Sequence, residues 1–165
     1  MITQNLVKNV LNTKIEDIPA SVLEHGKRSF LNWVGVAIGA AEHESVDMVL
    51  ELKKDLKGSE QVSILGRKEK ADLLLASLIN GMSSHIFDFD DTHLDTIHHP
   101  SGPVAPVALA LGEHLGLTGL QILHAFILGC EVELRIANAV YPSHYQLGWH
   151  ITSSTGVFGA SVAAG

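Results

Sequence analysis

The chain has 165 residues, 46% of them hydrophobic and 18% charged, with a formal net charge of −7. A chain of that length can bury about 70% of the surface it exposes when unfolded, and the composition excludes an apolar-poor disordered protein. The charge is uneven: residues 1–70 hold ten basic and ten acidic side chains, whereas residues 71–165 hold eight acidic ones against Arg135 alone, which leaves no basic face for a nucleic-acid backbone.

Residues 1–20 alternate polar and apolar types without a basic start and apolar run, so no secretory signal is read and a cytoplasmic location is expected. Pro19 suits the first turn of a helix, and Val22, Leu23, Phe30, Val34 and Ile38 recur near the helical period, which predicts a helix over 20–41 with Trp33 in the core. A shorter amphipathic helix is expected from Glu44 to Lys57, ended by Gly58. Val62 and Ile64 alternate before Gly66, as in a short strand or extended connector too small to support a sheet. A strongly apolar helix follows over 71–87, with Asp88 just past its end and a polar loop over 88–102.

Pro103 is expected to open the next helix, through Gly116, and Thr118 to cap another over 119–140, where Glu131 and Arg135 can pair on the surface. Cys130 lies in that helix without cationic neighbours and reads as a small buried apolar residue. A third loop covers 141–152. The helix predicted from Thr155 is rich in Gly156, Gly159, Ala160, Ala163 and Ala164, which let neighbouring helices approach closely. The most apolar windows, 34–41 and 120–130, fall short of the roughly 20 residues that span a bilayer, so no membrane partner is expected. The fold class read from these elements is all-α, one compact multi-helix domain over 1–165. It breaks off inside an unfinished helix, so a truncated carboxyl end is expected.

Chemistry concentrates in the two long loops. Ten histidines are present, and His85, His93, His98 and His99 flank or occupy the first loop while His144 and His150 belong to the second. Imidazoles titrate near neutrality and suit proton transfer or metal binding. Asp88, Asp90 and Asp91 repel one another and persist only where cations, protons or helix termini offset them. Asp90 and Asp91 could simply cap backbone N–H groups. His25, His43, His114 and His124 lie in helical stretches and read as structural.

The residues Asn80-Gly81, Asp88-Phe-Asp-Asp-Thr92, His99-Pro-Ser-Gly102, Gly129-Cys-Glu-Val132 with Arg135-Ile136, and Gly148-Trp-His150 with Thr155-Gly156 and Phe158-Gly-Ala160 occur in order along almost the whole chain. Together they resemble the amino-terminal part of the MmgE/PrpD family, which includes 2-methylcitrate dehydratase, cis-aconitate decarboxylase and iminodisuccinate epimerase. The resemblance implies a helical domain that packs with a smaller lid domain, absent here, and forms homodimers. It implies a lyase or isomerase without cofactor or metal that moves a proton at a carbon beside a carboxylate, on a small di- or tricarboxylate substrate, with 2-methylcitrate dehydratase-like dehydration as the favoured case. Asp88, Thr92, His99 and His150 match positions that line the family's site, with His99, His150 and Asp88 as catalytic residues and Thr92 binding substrate. The segment between Thr92 and His99 is one residue longer than in the family's decarboxylases, so His98 competes for the place of His99 or contacts substrate beside it; Pro100 favours His99. The family's later lysines and tyrosine have no counterpart in this chain, which alone is expected to be inactive.

Two other readings compete. His85, Asp88, Asp91 and His93 could ligate a hard divalent cation in a metal-dependent hydrolase. Alternatively the chain is a non-catalytic helical interaction module.

Overall fold

The computed structural model describes residues 1–56 and 58–165, and these form eight α-helices, one 3-10 turn and one two-stranded hairpin. The all-α expectation holds. Helix α1 (Ile2–Asn12) had no helical forecast; it half-buries Leu6 and Val10 on one face and has no fully buried residue. Helix α2 (Ala20–Gly39) begins after Pro19 and buries Trp33 and Ala37 completely. Helix α3 (Glu44–Leu56) carries Glu44 and Asp47 in its first turn and Lys53 and Lys54 in its last, the arrangement its dipole favours. Its forecast end at Lys57 lies outside the described residues.

Strands β1 (Val62–Ser63) and β2 (Lys70–Ala71) pair antiparallel, Val62 opposite Ala71, so the connector does form a sheet of minimal size. A side chain supplements it. Asn80, buried in α4 (Leu73–His85), donates to the Ser63 carbonyl at 3.0 Å and accepts from the Leu65 N–H at 2.9 Å, as a neighbouring strand would. Asp72 caps α4 by accepting from the N–H groups of Leu74 and Leu75. The helix stops at His85, two residues short of its forecast end.

Helix α5 (Ser101–Leu115) starts at Ser101, two residues before the expected Pro103, and closes on Gly116 at φ 66°, a left-handed position suited to glycine. Helix α6 (Gly119–Val140) opens on a reciprocal cap between Thr118 and Gln121. Short α7 (Ser143–Gln146) occupies part of the forecast loop. Helix α8 (Ile151–Ala164) begins four residues before Thr155, because the His150 ring caps it.

Two apolar clusters hold these elements. One joins Val46 of α3, Val62 and Ala71 of the hairpin, Leu75 and Ile79 of α4 and Ala110 of α5. The other joins Trp33 of α2, Val104 and Ala108 of α5, Phe126 of α6 and Ala163 of α8. The small residues of α8 act as expected: a Cβ on Gly129 of α6 would stand 2.8 Å from the Gly159 carbonyl oxygen, so the two backbones pass in direct contact. Glu131 and Arg135 pair on the outer face of α6 at 2.6 Å. No helix among the described residues is long and apolar enough to cross a membrane.

Candidate active site

The end of α4, the loop over 86–100 and the first turn of α8 enclose a cleft of about 260 Å³ lined by His85, Asp90, His99, His150, Thr152 and Ser153, with Gly81, Gly102, Pro103 and Val157 as its apolar wall. Local backbone geometry aims the loop. Asp88 leaves α4 at φ 55° and Ile97 sits at φ 51°, a position that is costly for a β-branched residue and is retained only where the surroundings impose it. His93 and His98 close the turn between them: the His93 N–H donates to the His98 carbonyl at 2.7 Å and the His98 N–H returns to the His93 carbonyl at 3.3 Å.

The three aspartates find three different solutions to their mutual repulsion. Asp90 is buried and holds both carboxylate oxygens 3.1 Å from His85 Nδ1, with His99 Nδ1 3.6 Å from Oδ1. Asp91 turns the other way, accepting from the Ser101 N–H at 3.1 Å and the Ser101 hydroxyl at 2.7 Å. It thereby satisfies an open N–H at the start of α5; burial pushes its carboxyl up and the Ser101 bonds pull it back. Asp88 stays in solvent, 4.0 Å from His99 Nε2. The Thr92 hydroxyl lies 3.4 Å from His99 Nδ1. The His85 and His99 rings meet edge to face with centroids 5.1 Å apart.

His150 stands on the other side of the cleft at the head of α8. Its Nδ1 accepts from the Ser153 N–H at 3.2 Å and lies 3.1 Å from the Ser153 hydroxyl. The accepting nitrogen carries no proton, so the neutral ring carries its proton on Nε2. His98 is fully buried and outside the cleft lining. Its Nε2 is 2.8 Å from the Thr155 hydroxyl oxygen, whose own proton goes to the Ile151 carbonyl at 3.0 Å, so Nε2 is the donor. Burial above all, with the neighbouring imidazoles of His99, His93 and His150, pushes its pKa down to about 4 and keeps the ring neutral.

Of the five residues singled out from sequence, His99 and His150 face one cleft, Asp88 and Thr92 reach His99, and His98 is withdrawn into the core. The set His85, Asp88, Asp91 and His93 does not converge: Asp91 belongs to Ser101, and His93 Nδ1 to the Thr96 hydroxyl at 2.8 Å. The donors that do come together, within 4.8 Å of one another, are those of His85, Asp88, Asp90 and His99. Asp90 had been read as a possible backbone cap, and its place between two imidazoles carried no signal beyond its separation from His85. Among the described residues no lysine or arginine lines the cleft. Cys130 is half-buried, and burial, followed by nearby Glu133 and Asp91, pushes its thiol up, as befits an inert side chain.

Residues 4–165 match the MmgE/PrpD N-terminal domain. The cis-aconitate decarboxylases of Mus musculus and Homo sapiens are each 29% identical to this chain over 170 aligned residues, covering 99% of it and 34% and 35% of their own lengths. A cis-aconitate decarboxylase of Aspergillus terreus is 24% identical over 170 residues, covering 99% of the chain and 35% of its own length. The chain thus spans about a third of the length of these curated relatives. With a helical fold, a histidine-lined cleft between loop and α8, and a family match over nearly every residue, the chain belongs to the MmgE/PrpD family, as its N-terminal domain.

Proposed function

We propose that the complete protein is a lyase that acts on a small di- or tricarboxylate by moving a proton at a carbon beside a carboxylate. The observation that carries this reading is the convergence of His99 and His150, from separate loops, on one cleft with the buried Asp90 carboxylate behind His99. Such a carbon is a weak acid, so the reaction needs a positioned base, a proton donor and stabilisation of enolate-like charge. A proton on His99 Nδ1 directed at Asp90 leaves Nε2 bare as the base, and Asp90 favours the imidazolium that forms. His150, with its proton on Nε2, is the complementary donor. Asp88 and the Thr92 hydroxyl adjust His99 and the substrate around it. His98 is a positioning residue rather than a substrate contact, because its ring is fully buried.

Among the described residues the cleft lining offers no fixed cation to a polycarboxylate, so in this reading the positive charge comes from residues other than these. No step needs a metal, and turnover is expected to survive exhaustive chelation. A homodimer is part of the same proposal, supported by the exposed apolar side chains of Phe89, Trp149 and Phe158.

The relatives bear the name of cis-aconitate decarboxylase, which makes decarboxylation the first reaction to assay and dehydration of 2-methylcitrate the second. The complete protein is incubated with each acid in D₂O and products are followed by NMR. Turnover of one of them, with a deuteron from solvent at the reacting carbon where a C–H bond is made, supports the reading. Absence of turnover and of C–H exchange with every di- and tricarboxylate tried would return the chain to the class of interaction modules.

A further inference from the structure

The donors gathered at the end of α4 also have the spacing of a metal site. Asp90 Oδ1 lies 3.1 Å from His85 Nδ1 and 3.6 Å from His99 Nδ1. Ligands at about 2.0–2.1 Å from a tetrahedral ion stand about 3.4 Å from one another, so the two separations straddle the edge of a zinc polyhedron. Asp88 adds a fourth donor on a solvent-exposed side chain, since all four donors lie within 4.8 Å of one another.

Burial and access favour occupancy. The Asp90 side chain is only 1% exposed, so folding has already met most of its desolvation cost, while the His85 side chain is 52% exposed and leaves a way in from solvent. The ion would stand between the ring nitrogens of His85 and His99 and the Asp90 carboxylate that they face. Two imidazoles in the set select a borderline transition ion over magnesium or calcium, which prefer oxygen ligands.

We infer that His85, Asp90 and His99 form a binding site for one zinc-class divalent ion, with Asp88 or water completing the coordination. This ion has no part in the proton transfer proposed above, because on Nδ1 it would leave the His99 proton on Nε2, the nitrogen that the base requires bare. Binding itself does not depend on the lyase reading, and its test reads no activity.

The complete protein is titrated with Co²⁺, a spectroscopic stand-in for Zn²⁺, and Zn²⁺ is then added to displace it. Visible d–d bands of intensity typical of four-coordinate cobalt, saturating at one ion per chain and bleached by Zn²⁺ but not by Mg²⁺, are expected. His85→Ala should weaken binding at least about tenfold, the scale seen when a metal site loses a supporting group, and Asp90→Asn should do the same. His93→Ala, whose ring is engaged with Thr96, should bind as the parent does. Circular dichroism melts establish that each variant is folded; should Asp90→Asn unfold, the exposed His85 carries the comparison. Octahedral-type weak bands only, displacement by Mg²⁺, or equal losses in His85→Ala and His93→Ala would overturn the site.

Discussion

His98 donates from Nε2 to the Thr155 hydroxyl at 2.8 Å, across 57 residues of sequence, and so ties the loop after α4 to the first turns of α8. The adjacent His99 N–H adds a second tie, to the Thr152 hydroxyl at 3.0 Å. These two bonds hold one histidine in the core and present its neighbour to the cleft, opposite His150. The tether also leaves His98 Nδ1 buried with no partner among the described residues, a cost the loop carries to keep this register.

In the complete protein, His99→Ala and His150→Ala should each lower kcat by at least about 10²-fold, the usual scale for loss of a general acid or base. His98→Ala should instead lower the melting temperature, with a much smaller loss of turnover per folded molecule. Steady-state kinetics alongside thermal melts make the distinction. Near-normal turnover in His99→Ala beside a folded but inactive His98→Ala would hand the catalytic role to the neighbour.

The same buried ring makes stability depend on pH. Its pKa falls from 6.5 to about 4 on folding, so the unfolded chain binds the proton more tightly between those values. Stability from this group is therefore full above pH 6.5 and is lost as the pH falls towards 4, by roughly 3 kcal/mol at the limit. His98→Gln keeps an N–H donor for Thr155 without the titration. Urea melts between pH 4 and 7 should show a shallower slope for the variant, and parallel curves would contradict the assignment.

Glu133 of α6 gives the opposite slope. It is fully buried, neither carboxyl oxygen has a hydrogen-bond partner among the described residues, and Gly159 of α8 packs directly onto it. Burial, with a smaller push from Asp91, raises its pKa from 4.5 to about 10, so the folded state holds a proton that the unfolded chain releases. Its contribution is present below pH 4.5 and declines as the pH rises towards 10. Relative to the parent, Glu133→Gln should gain at least about 1 kcal/mol of stability between pH 5 and pH 9, measured by denaturant melts. No relative gain would mean that the carboxyl ionises normally.

The isolated 165-residue chain should self-associate and leave carboxylates unturned. Its accessible surface is 9532 Å², against about 7,900 Å² for a typical monomer of this mass, and Phe89, Leu94, Leu147 and Trp149 are exposed near the loops. Size-exclusion chromatography and turnover assays check this. A monodisperse monomer as active as the complete protein would contradict it.

Much of this molecule was legible from residue order. Helical patterning located α2 to α4, Pro103 and Thr118 pointed to α5 and α6, Thr118 announced its cap, Trp33 its burial and Glu131 its pairing with Arg135, because each depends on neighbours within a turn or two. The family motifs drew attention to both loops for the same reason: they are local. Helix α1 escaped because its apolar face is only half-buried, and the start of α8 was misplaced because an imidazole, not a hydroxyl or carboxylate, caps it. Which of two adjacent histidines enters the cleft, and which of three aspartates joins them, rested on partners far along the chain. Neighbouring side chains on an extended segment point to opposite sides, so the choice between His98 and His99 is a question of register, and Ile97 at positive φ with the His93–His98 pairing sets that register. Thr155 lies 57 residues beyond His98, and only the packing of α8 against α5 and α6 brings its hydroxyl to the ring.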